Sequence, residues 1–379
     1  MLRIYLYLIL AASVSALATD MIVPALPLLQ KAFHSDYSSI QLTISGFLVI
    51  YACSQLLSGF IGEKLGKLRV LTASFLLFLA GSLLCFISDS LSMLLAGRAL
   101  QAVGAGAGPV LSKAIAKETF SPLTLKRALS DISSASAVVP LIAPLAGAAI
   151  LGHLSWNHIF LVIALFSVVT ILLYPRRLGH RDSAAAPSSS GFITPAFIQG
   201  TLLVSLILSS LFCYISLSPA IFMQQLGLST MHYSLLFSAS VLFFIIGNQF
   251  SKFERINNPW ILFIMNALAV SPFIIGCHSL ILCIAGSMIF NFSLGAYYPT
   301  ANFIALQIKG TKTGIAASVT GFIQTVCAGA ISYFAVKLTD TGLGFDRTLG
   351  TSTLTLAILS LLVVTTMKVT QWKTGKKGK

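Results

Sequence analysis

Apolar stretches of about 20 residues recur along the whole chain, and no other feature of the sequence restricts its possible folds so strongly. As a helix, each stretch is long enough to cross the roughly 30 Å hydrocarbon core of a bilayer. The composition agrees, because 56% of the residues are hydrophobic, only 9% are charged and the mean hydropathy is +0.91. Strands of a membrane β-barrel would alternate polar and apolar residues over about 10 positions, and that pattern is absent. The sequence therefore predicts an all-α polytopic membrane protein.

Counting these stretches gives about twelve transmembrane helices. The predicted spans are Ile4–Leu28, Ile40–Ile61, Val70–Ile87, Leu91–Ile115, Ser130–Leu151, His158–Tyr174, Ala196–Ala220, Tyr233–Phe250, Trp260–Cys277, Leu280–Ala301, Gly314–Leu338 and Leu349–Val369. The first stretch follows Arg3 and could be mistaken for a signal peptide. It contains Asp20, Pro24 and Pro27 and lacks a convincing cleavage site, so we interpret it as the first helix.

The positions of the Lys and Arg residues predict the orientation of the chain. If the N-terminus is cytoplasmic, most of the 24 basic residues fall on the inner side, Lys31, Lys337 and Arg347 fall outside, and Arg98 lies within a span. The positive-inside rule therefore predicts that both termini are cytoplasmic, in a bacterial inner membrane. A basic nucleic-acid-binding surface would also explain the net charge of +14. The basic residues are dispersed over short loops with no soluble domain to present them, so no nucleic-acid partner is expected.

The chain divides near its middle. A polar stretch rich in small residues separates the sixth span from the seventh, and it predicts an N-terminal six-helix bundle (1–175), a cytoplasmic linker (176–195) and a C-terminal six-helix bundle with a basic tail (196–379). Two such bundles suggest an internal pseudo-repeat, the architecture of transporters that work by alternating access. The six Cys residues lie in or beside apolar spans without metal-ligand spacing, so we expect core packing and neither metal nor cofactor.

Two ionisable side chains, Asp20 and Arg98, fall within apolar spans, where a charge costs at least a few kcal/mol. By helical rise Asp20 lies about 12 Å, and Arg98 about 10 Å, from the outer face, so the two could meet at similar depth. Burial and a nearby cation shift the proton affinity of a carboxylate in opposite directions. The pair could therefore couple proton binding to a helix movement. A fixed ion pair that holds the first and fourth helices together is the alternative.

On the first helix, Asp20 is followed by Pro24 and Pro27 at i+4 and i+7, so a continuous helix would put the three on one face. Proline removes hydrogen bonds from the helix. A bent outer half beside a charge could act as a gate, and an ordinary kink near a helix end is the alternative.

Four motifs resemble the major facilitator superfamily and, within it, the drug/proton antiporters of the bicyclomycin and chloramphenicol resistance (Bcr/CflA) type. They are A-T-D-M-I-V-P-A-L-P (Ala18–Pro27), G-F-I-G-E-K-L-G-K-L-R (Gly59–Arg69), R-A-L-Q-A-V-G-A-G (Arg98–Gly106) and P-L-I-A-P-L-A-G (Pro140–Gly147). The second is similar to the superfamily's loop motif between helices two and three, with Glu63 in place of the usual Asp. Gly104 and Gly108, at i and i+4, also permit close helix packing.

The resemblance implies roles for the residues of these motifs. It implicates Arg98 in proton coupling; Asp20, the only carboxylate placed deep inside a span, is the leading candidate for the proton-carrying site. It assigns gating or conformational roles to Pro24, Pro27, Gly59, Glu63, Gly66, Pro140, Pro144 and Gly147. The implied activity is proton-coupled export of small amphipathic molecules, as in multidrug efflux.

Polar and aromatic residues at helical spacing are candidates for contact with a substrate. They are Tyr51, Gln55, Tyr214, Asn291, Tyr297 and Gln324. Aromatic rings with polar tips can hold amphipathic ligands, although ordinary helix packing explains each residue equally well. Because no acidic residue lies deep in a second-half span, neutral, zwitterionic or anionic substrates are favoured over strongly cationic ones.

Other classes of function lack their signatures. The His residues are scattered without a catalytic or metal-binding grouping, so an enzyme is not expected. No phosphate-binding G-x-x-x-x-G-K-[ST] motif is present, which disfavours ATP-driven transport. The partners expected are a small-molecule substrate, protons and membrane lipid, with the chain acting as a monomer. A dedicated exporter of a siderophore or other metabolite, and an importer by proton symport, remain open alternatives.

Overall fold

The computed structural model describes residues 2–174, 194–251, 258–276, 279–306 and 313–376. Within these ranges every regular element is a helix, and no strand occurs. The predicted all-α fold is therefore confirmed. The predicted linker, 176–195, lies outside the described residues except for its last two, and the boundaries of the two bundles stay predictions.

Tertiary contacts divide the chain into two compact units, one formed by Met1–Ala186 with Leu228–Ser238 and the other by Pro187–Gly227 with Ala239–Lys379. The first half of the chain contains α1 (Leu2–Asp20), a 3₁₀ turn (Val23–Ala25), α2 (Leu26–Ala32), α3 (Tyr37–Leu65), α4 (Lys67–Phe86), α5 (Leu91–Ala105), α6 (Ala107–Thr119), α7 (Pro122–His153) and α8 (Asn157–Leu172). The second half contains α9 (Pro195–Pro219), a π-helical turn (Ala220–Gln225), α10 (Thr230–Phe250), α11 (Pro259–Ile274), α12 (Leu280–Leu306), α13 (Thr313–Lys337), a 3₁₀ turn (Leu338–Thr341) and α14 (Phe345–Lys376).

These helices account for the predicted spans. In the described part of the chain, 8 helices are long and apolar enough to cross a membrane. Three shorter apolar helices, Val138–His153, Asn157–Leu172 and Pro259–Ile274, correspond to predicted spans five, six and nine. The remaining span is α5 followed by α6, which join at Gly106 with helical φ and ψ and with its N–H bonded to the Ala102 carbonyl.

The first span is broken where its prolines lie. Helix α1 ends at Asp20, and Pro24 and Pro27 occupy early positions of the 3₁₀ turn and of α2. An early position suits proline because its missing N–H has no helical acceptor there. The helix is thus interrupted directly after Asp20, as the prolines predicted, while the chain keeps helical φ and ψ at Ile22, Ala25 and Leu26; a shared face for Asp20, Pro24 and Pro27 stays a prediction.

The segment predicted as a loop between the second and third spans is also helical. Helix α3 continues to Leu65, four residues beyond the predicted end, and α4 begins at Lys67. Gly66 alone separates them, and its φ of 91° is one that side chains with a Cβ rarely adopt. The motif Gly59–Arg69 is thus two helix ends joined at a glycine.

Helix packing in the first unit depends on closely spaced glycines. A Cβ built at Gly104 would lie 2.5 Å from the backbone of Ser74 and Phe78 on α4, and one at Gly106 would lie 2.7 Å from the backbone of Gln55 on α3. At Gly108 the obstructing atom is the Ala11 carbonyl oxygen of α1. The predicted close packing is confirmed. Gly104, Gly106 and Gly108 each allow a different helix, α4, α3 and α1 respectively, to approach closely.

Candidate functional site

Arg98 is the best-connected candidate residue of the first unit. It lies on α5 with 1% of its surface exposed. Its Nε donates to the Thr43 carbonyl at 2.9 Å, and its Nη1 donates to the Ala18 carbonyl at 3.0 Å and to Gln101 Oε1 at 2.9 Å. These bonds tie α5 to both α1 and α3. The Nη2 group has no hydrogen-bond partner among the described residues.

An aromatic row on α3 connects Arg98 to two predicted substrate residues. The Arg98 guanidinium carbon lies 4.2 Å from the centroid of the Phe47 ring, a cation–π contact. Phe47 stacks on Tyr51 with ring centroids 6.1 Å apart, and Gln55 Nε2 donates to the Tyr51 hydroxyl at 3.3 Å. Phe47, Tyr51 and Gln55 are spaced by four residues, which puts them on one face of α3. The structure therefore brings Arg98, Tyr51 and Gln55 together.

Asp20 is buried at the break in the first span, with 8% of its surface exposed. Its Oδ1 accepts a hydrogen bond from the Thr19 hydroxyl at 3.3 Å. Neither Asp20 nor Arg98 forms an ion pair with another described residue. The alternative of a fixed ion pair between the first and fourth spans is therefore wrong. Arg98 contacts this region through the carbonyl of Ala18, two residues before Asp20, because a backbone acceptor is closer than the carboxylate.

Helix α7 packs against the same break. A Cβ at Gly147 would overlap the Met21 carbonyl oxygen and lie 3.4 Å from Pro24 Cγ. Pro140 and Pro144 lie inside α7, two turns and one turn before this glycine, respectively. Gly147 and Pro24, both named from the motifs, are thus close neighbours at the break that follows Asp20. Nearer the start of α7, Asp131 accepts a hydrogen bond from the Tyr5 hydroxyl of α1.

A charge cluster joins the ends of α3, α4 and α6. Lys67 Nζ lies 2.8 Å from Glu63 and 2.6 Å from Glu118. The Lys67 side chain is 10% exposed, whereas those of Glu63 and Glu118 are 49% and 33% exposed. Gly59 and Gly66 belong to the same predicted motif, and Gly66 supplies the turn that brings Lys67 beside Glu63.

The candidates of the second half are less connected. Tyr214 on α9 is 2% exposed, and its hydroxyl lies 3.0 Å from Ser240 Oγ on α10. Asn291 on α12 is 1% exposed and donates to the Ser287 carbonyl of its own helix at 2.9 Å. Tyr297 is half-buried in a crevice of this unit. Gln324 on α13 is half-buried, and its Oε1 has no partner among the described residues. Tyr214 and Asn291 share the neighbour Ser287, whose side chain bonds Tyr214 and whose carbonyl accepts from Asn291.

Sequence reasoning missed several residues at these sites. Thr43 and Ala18 act through backbone carbonyls, which the identity of a residue does not reveal. Glu118 lies 51 positions from its partner Lys67, so no local spacing points to it. Helical spacing could have identified two others: Phe47 lies four residues before Tyr51, and Gln101 lies three residues after Arg98.

The comparison with protein families decides the class of this molecule. The family model of the Major Facilitator Superfamily matches residues 8–335. The chain belongs to the Major Facilitator Superfamily. Its membership supports a multi-pass membrane transporter of small molecules and not an enzyme.

Relatives of known sequence are distant. An uncharacterized MFS-type transporter of Bacillus subtilis, YdgK, is 27% identical over 342 residues, which cover 85% of each chain. A protein of Salmonella paratyphi B named multidrug resistance protein MdtL is 27% identical over 225 residues, which cover 57% of each chain. The match to MdtL thus spans little more than half of either protein.

Solved structures of the superfamily share the fold at low sequence identity. A bacterial homologue of the human lysosomal transporter Spinster aligns with a TM-score of 0.76 at 13% identity, covering 95% of this chain and 94% of that one. A D-xylose–proton symporter aligns with a TM-score of 0.73 at 13% identity, covering 95% of this chain and 97% of that one. At such identities the likeness supports the superfamily fold alone.

Proposed function

We propose that this chain is a proton-coupled exporter of small amphipathic molecules, of the Bcr/CflA type, that works by alternating access. The observation that carries the proposal is the environment of Asp20. This carboxylate is buried at a helix break, and its hydrogen-bond partner is the neighbouring Thr19 hydroxyl rather than a cation. An ion pair would hold a carboxylate ionised. Without one, Asp20 is available to exchange a proton.

Arg98 can link the state of Asp20 to a helix movement. Its bond to the Ala18 carbonyl fixes the end of α1 two residues before the carboxylate. If the broken segment after Asp20 moves, the distance between this carboxylate and the guanidinium changes, and proton affinity changes with it. In this proposal Asp20 carries the proton and Arg98 modulates its release.

Export, rather than import, is supported by the motifs and by one relative. The first-span and fifth-span motifs resemble drug/proton antiporters, and MdtL, similar over 57% of this chain, is named a multidrug resistance protein. The buried polar groups of the second half, such as Tyr214 and Asn291, are neutral. They suit neutral, zwitterionic or anionic substrates, so a dedicated exporter of a siderophore or similar metabolite is the second candidate.

The proposed topology follows the basic residues. We place the chain in a bacterial inner membrane as a monomer with both termini cytoplasmic, and propose that bundles 1–175 and 196–379 move about the linker 176–195. Substrate would enter from the cytoplasm and leave on the opposite side, driven by inward proton movement.

A transport assay in proteoliposomes tests the direction and the coupling. A panel of neutral, zwitterionic and anionic amphipaths is offered outside vesicles with an acidic lumen, and then outside vesicles with an alkaline lumen. Proton antiport predicts protein-dependent accumulation with the acidic lumen only, because protons leave as substrate enters. Accumulation with the alkaline lumen only would establish symport and contradict export. Protein-free vesicles measure passive partition of each compound.

A further inference from the structure

A crevice within the second half has a polar floor that neither the motifs nor the proposed proton route uses. It lies among α9, α11, α12 and α14 and has a cavity volume of about 40 Å³, enough for a small polar head group. Ser210, Asn266 and Ser293 are buried at its floor. Phe263, Tyr297 and Ala357 are half-buried at its mouth. None of the described residues that line the crevice is charged.

Asn266 is held in one orientation yet keeps an unused acceptor. Its Nδ2 donates to Ser293 Oγ at 2.7 Å, and that hydroxyl donates in turn to the Phe290 carbonyl at 2.9 Å. Asn266 is 9% exposed, and its Oδ1 has no hydrogen-bond partner among the described residues. The Tyr297 hydroxyl at the mouth also has no such partner. Both atoms keep hydrogen-bonding capacity at the surface of the crevice, so a ligand that bonds them in an apolar surrounding would bind favourably.

Two of the helices that line the crevice, α11 and α14, also carry exposed apolar side chains. On α11, Trp260 and Ile264 are 52% and 54% exposed, next to the lining residues Pro259 and Phe263. On α14, Ile358 is 44% exposed beside the lining residue Ala357. In a protein that spans a bilayer, such exposed apolar side chains contact lipid. A molecule dissolved in the bilayer therefore has direct access to the crevice.

We infer that this crevice binds a small neutral amphipath, with a hydroxyl or amide group bonded to Asn266 and an apolar chain directed toward the bilayer. Neutrality follows from the absence of a charged lining residue, because an ion would lose its hydration without gaining a partner. The hydroxyl or amide group follows from the free Asn266 acceptor and the Tyr297 hydroxyl. The site does not depend on Asp20 and would exist whichever way transport is coupled.

Photolabelling with a defined probe tests the inference. The full chain in phosphatidylcholine nanodiscs is irradiated with an octanol that carries a diazirine on its chain, and adducts are mapped by mass spectrometry. We expect adducts concentrated on the crevice-lining parts of α11 and α14, reduced at least about fivefold by excess octanol. Octyltrimethylammonium and octyl sulfate, which have the same chain and a permanent charge, should not compete. Equal labelling of all lipid-facing helices, or competition by either ion, would overturn the inference.

Two variants locate the label. Ala357→Phe should fill the mouth, and Asn266→Leu should remove the polar floor; each is expected to lower the competed labelling at least about fivefold. Ile358→Phe, one residue from Ala357 on the exposed surface, is the matched control and should label as the wild type does. Each variant is compared at equal amounts of monodisperse protein with an unchanged far-UV circular dichroism spectrum. Labelling that persists unchanged in folded Ala357→Phe and Asn266→Leu would contradict the site.

Discussion

The two halves of the molecule bury polar side chains of different kinds. The first half buries the charged Asp20 and Arg98, whereas the described candidates of the second half, Tyr214, Asn291 and Asn266, are neutral. A buried charge costs several times more than a neutral group that finds a hydrogen bond. In the proposed mechanism the first half therefore carries the proton-dependent step, and the second half contributes neutral contacts to the substrate.

The largest effect should come from the carboxylate of the first half. Asp20→Asn keeps the size and hydrogen-bonding capacity of the side chain but cannot exchange a proton. We expect accumulation driven by a pH gradient to fall to the level of protein-free vesicles, while facilitated substrate exchange without a gradient persists. Asn291→Ala, the control in the second half, should alter apparent substrate affinity and keep accumulation. Equal loss of accumulation in both variants would abolish the proposed division between the halves.

Loss of the arginine should affect both coupling and stability. Arg98→Leu leaves the Ala18 and Thr43 carbonyls without their donor, at a cost of roughly 3 kcal/mol in the free energy of unfolding. Arg98→Lys keeps the charge but cannot reproduce the planar set of bonds, so we expect intermediate stability and weakened coupling. Thermal unfolding in detergent and gradient-driven transport are the measurements.

A second-half substitution calibrates this loss. Tyr214→Phe removes the hydroxyl bonded to Ser240 and should cost about 1 kcal/mol. If Arg98→Leu destabilises the protein no more than Tyr214→Phe does, Arg98 is not the structural link between α1, α3 and α5 that its hydrogen bonds describe.

The two halves should respond alike when a closely packed glycine is replaced. A Cβ at Gly106 in the first half would lie 2.6 Å from Ser54 Cβ, and one at Gly200 in the second half would lie 2.5 Å from Ala305 Cα. Gly106→Ala and Gly200→Ala should each cost roughly 1–3 kcal/mol of stability through overpacking. Gly46→Ala, where nothing lies within 4 Å, is the control and should cost nothing measurable. A large cost at Gly46 would show that helix flexibility, rather than close approach, explains the effect.

The smallest effect is expected at the charge cluster. Lys67→Gln removes the pairs with Glu63 and Glu118, both of which are partly exposed. Such pairs contribute about 1 kcal/mol or less and are screened by salt. We expect a drop of two- to threefold, on the order of that energy, in transport rate at low salt, with wild type and variant converging at about 1 M salt. A difference that is independent of salt would exclude an electrostatic role.

The general fold could be predicted from the sequence, because a span needs about 20 apolar residues wherever it lies. The breaks could be predicted less well. Prolines indicated a disturbance of the first span but not that α1 stops at Asp20. A helix end inside a bundle depends on which neighbours can bond the freed backbone groups, and those neighbours are set by tertiary packing.

The sequence predicted the site residues that contribute side chains, but not those that contribute backbone carbonyls. Asp20 and Arg98 were identifiable because a charge in an apolar span is costly. The alternative of a fixed ion pair between them does not occur in the structure, since Arg98 bonds backbone carbonyls instead. Asn266 was overlooked because a single Asn in an apolar helix commonly bonds a neighbouring helix. Only the crevice beside it distinguishes a ligand-binding Asn from one that serves in helix packing.

The measurement that tests the central claim most directly is proton movement driven by substrate. Proteoliposomes containing a trapped pH indicator receive a substrate gradient and no initial pH gradient. The account predicts that wild type and Asn291→Ala move protons against the substrate flow, and that Asp20→Asn, at an equal amount of folded protein, passes substrate without moving protons. Proton movement by Asp20→Asn at the wild-type rate would contradict the account and direct attention to another carboxylate, such as the Tyr5-bonded Asp131.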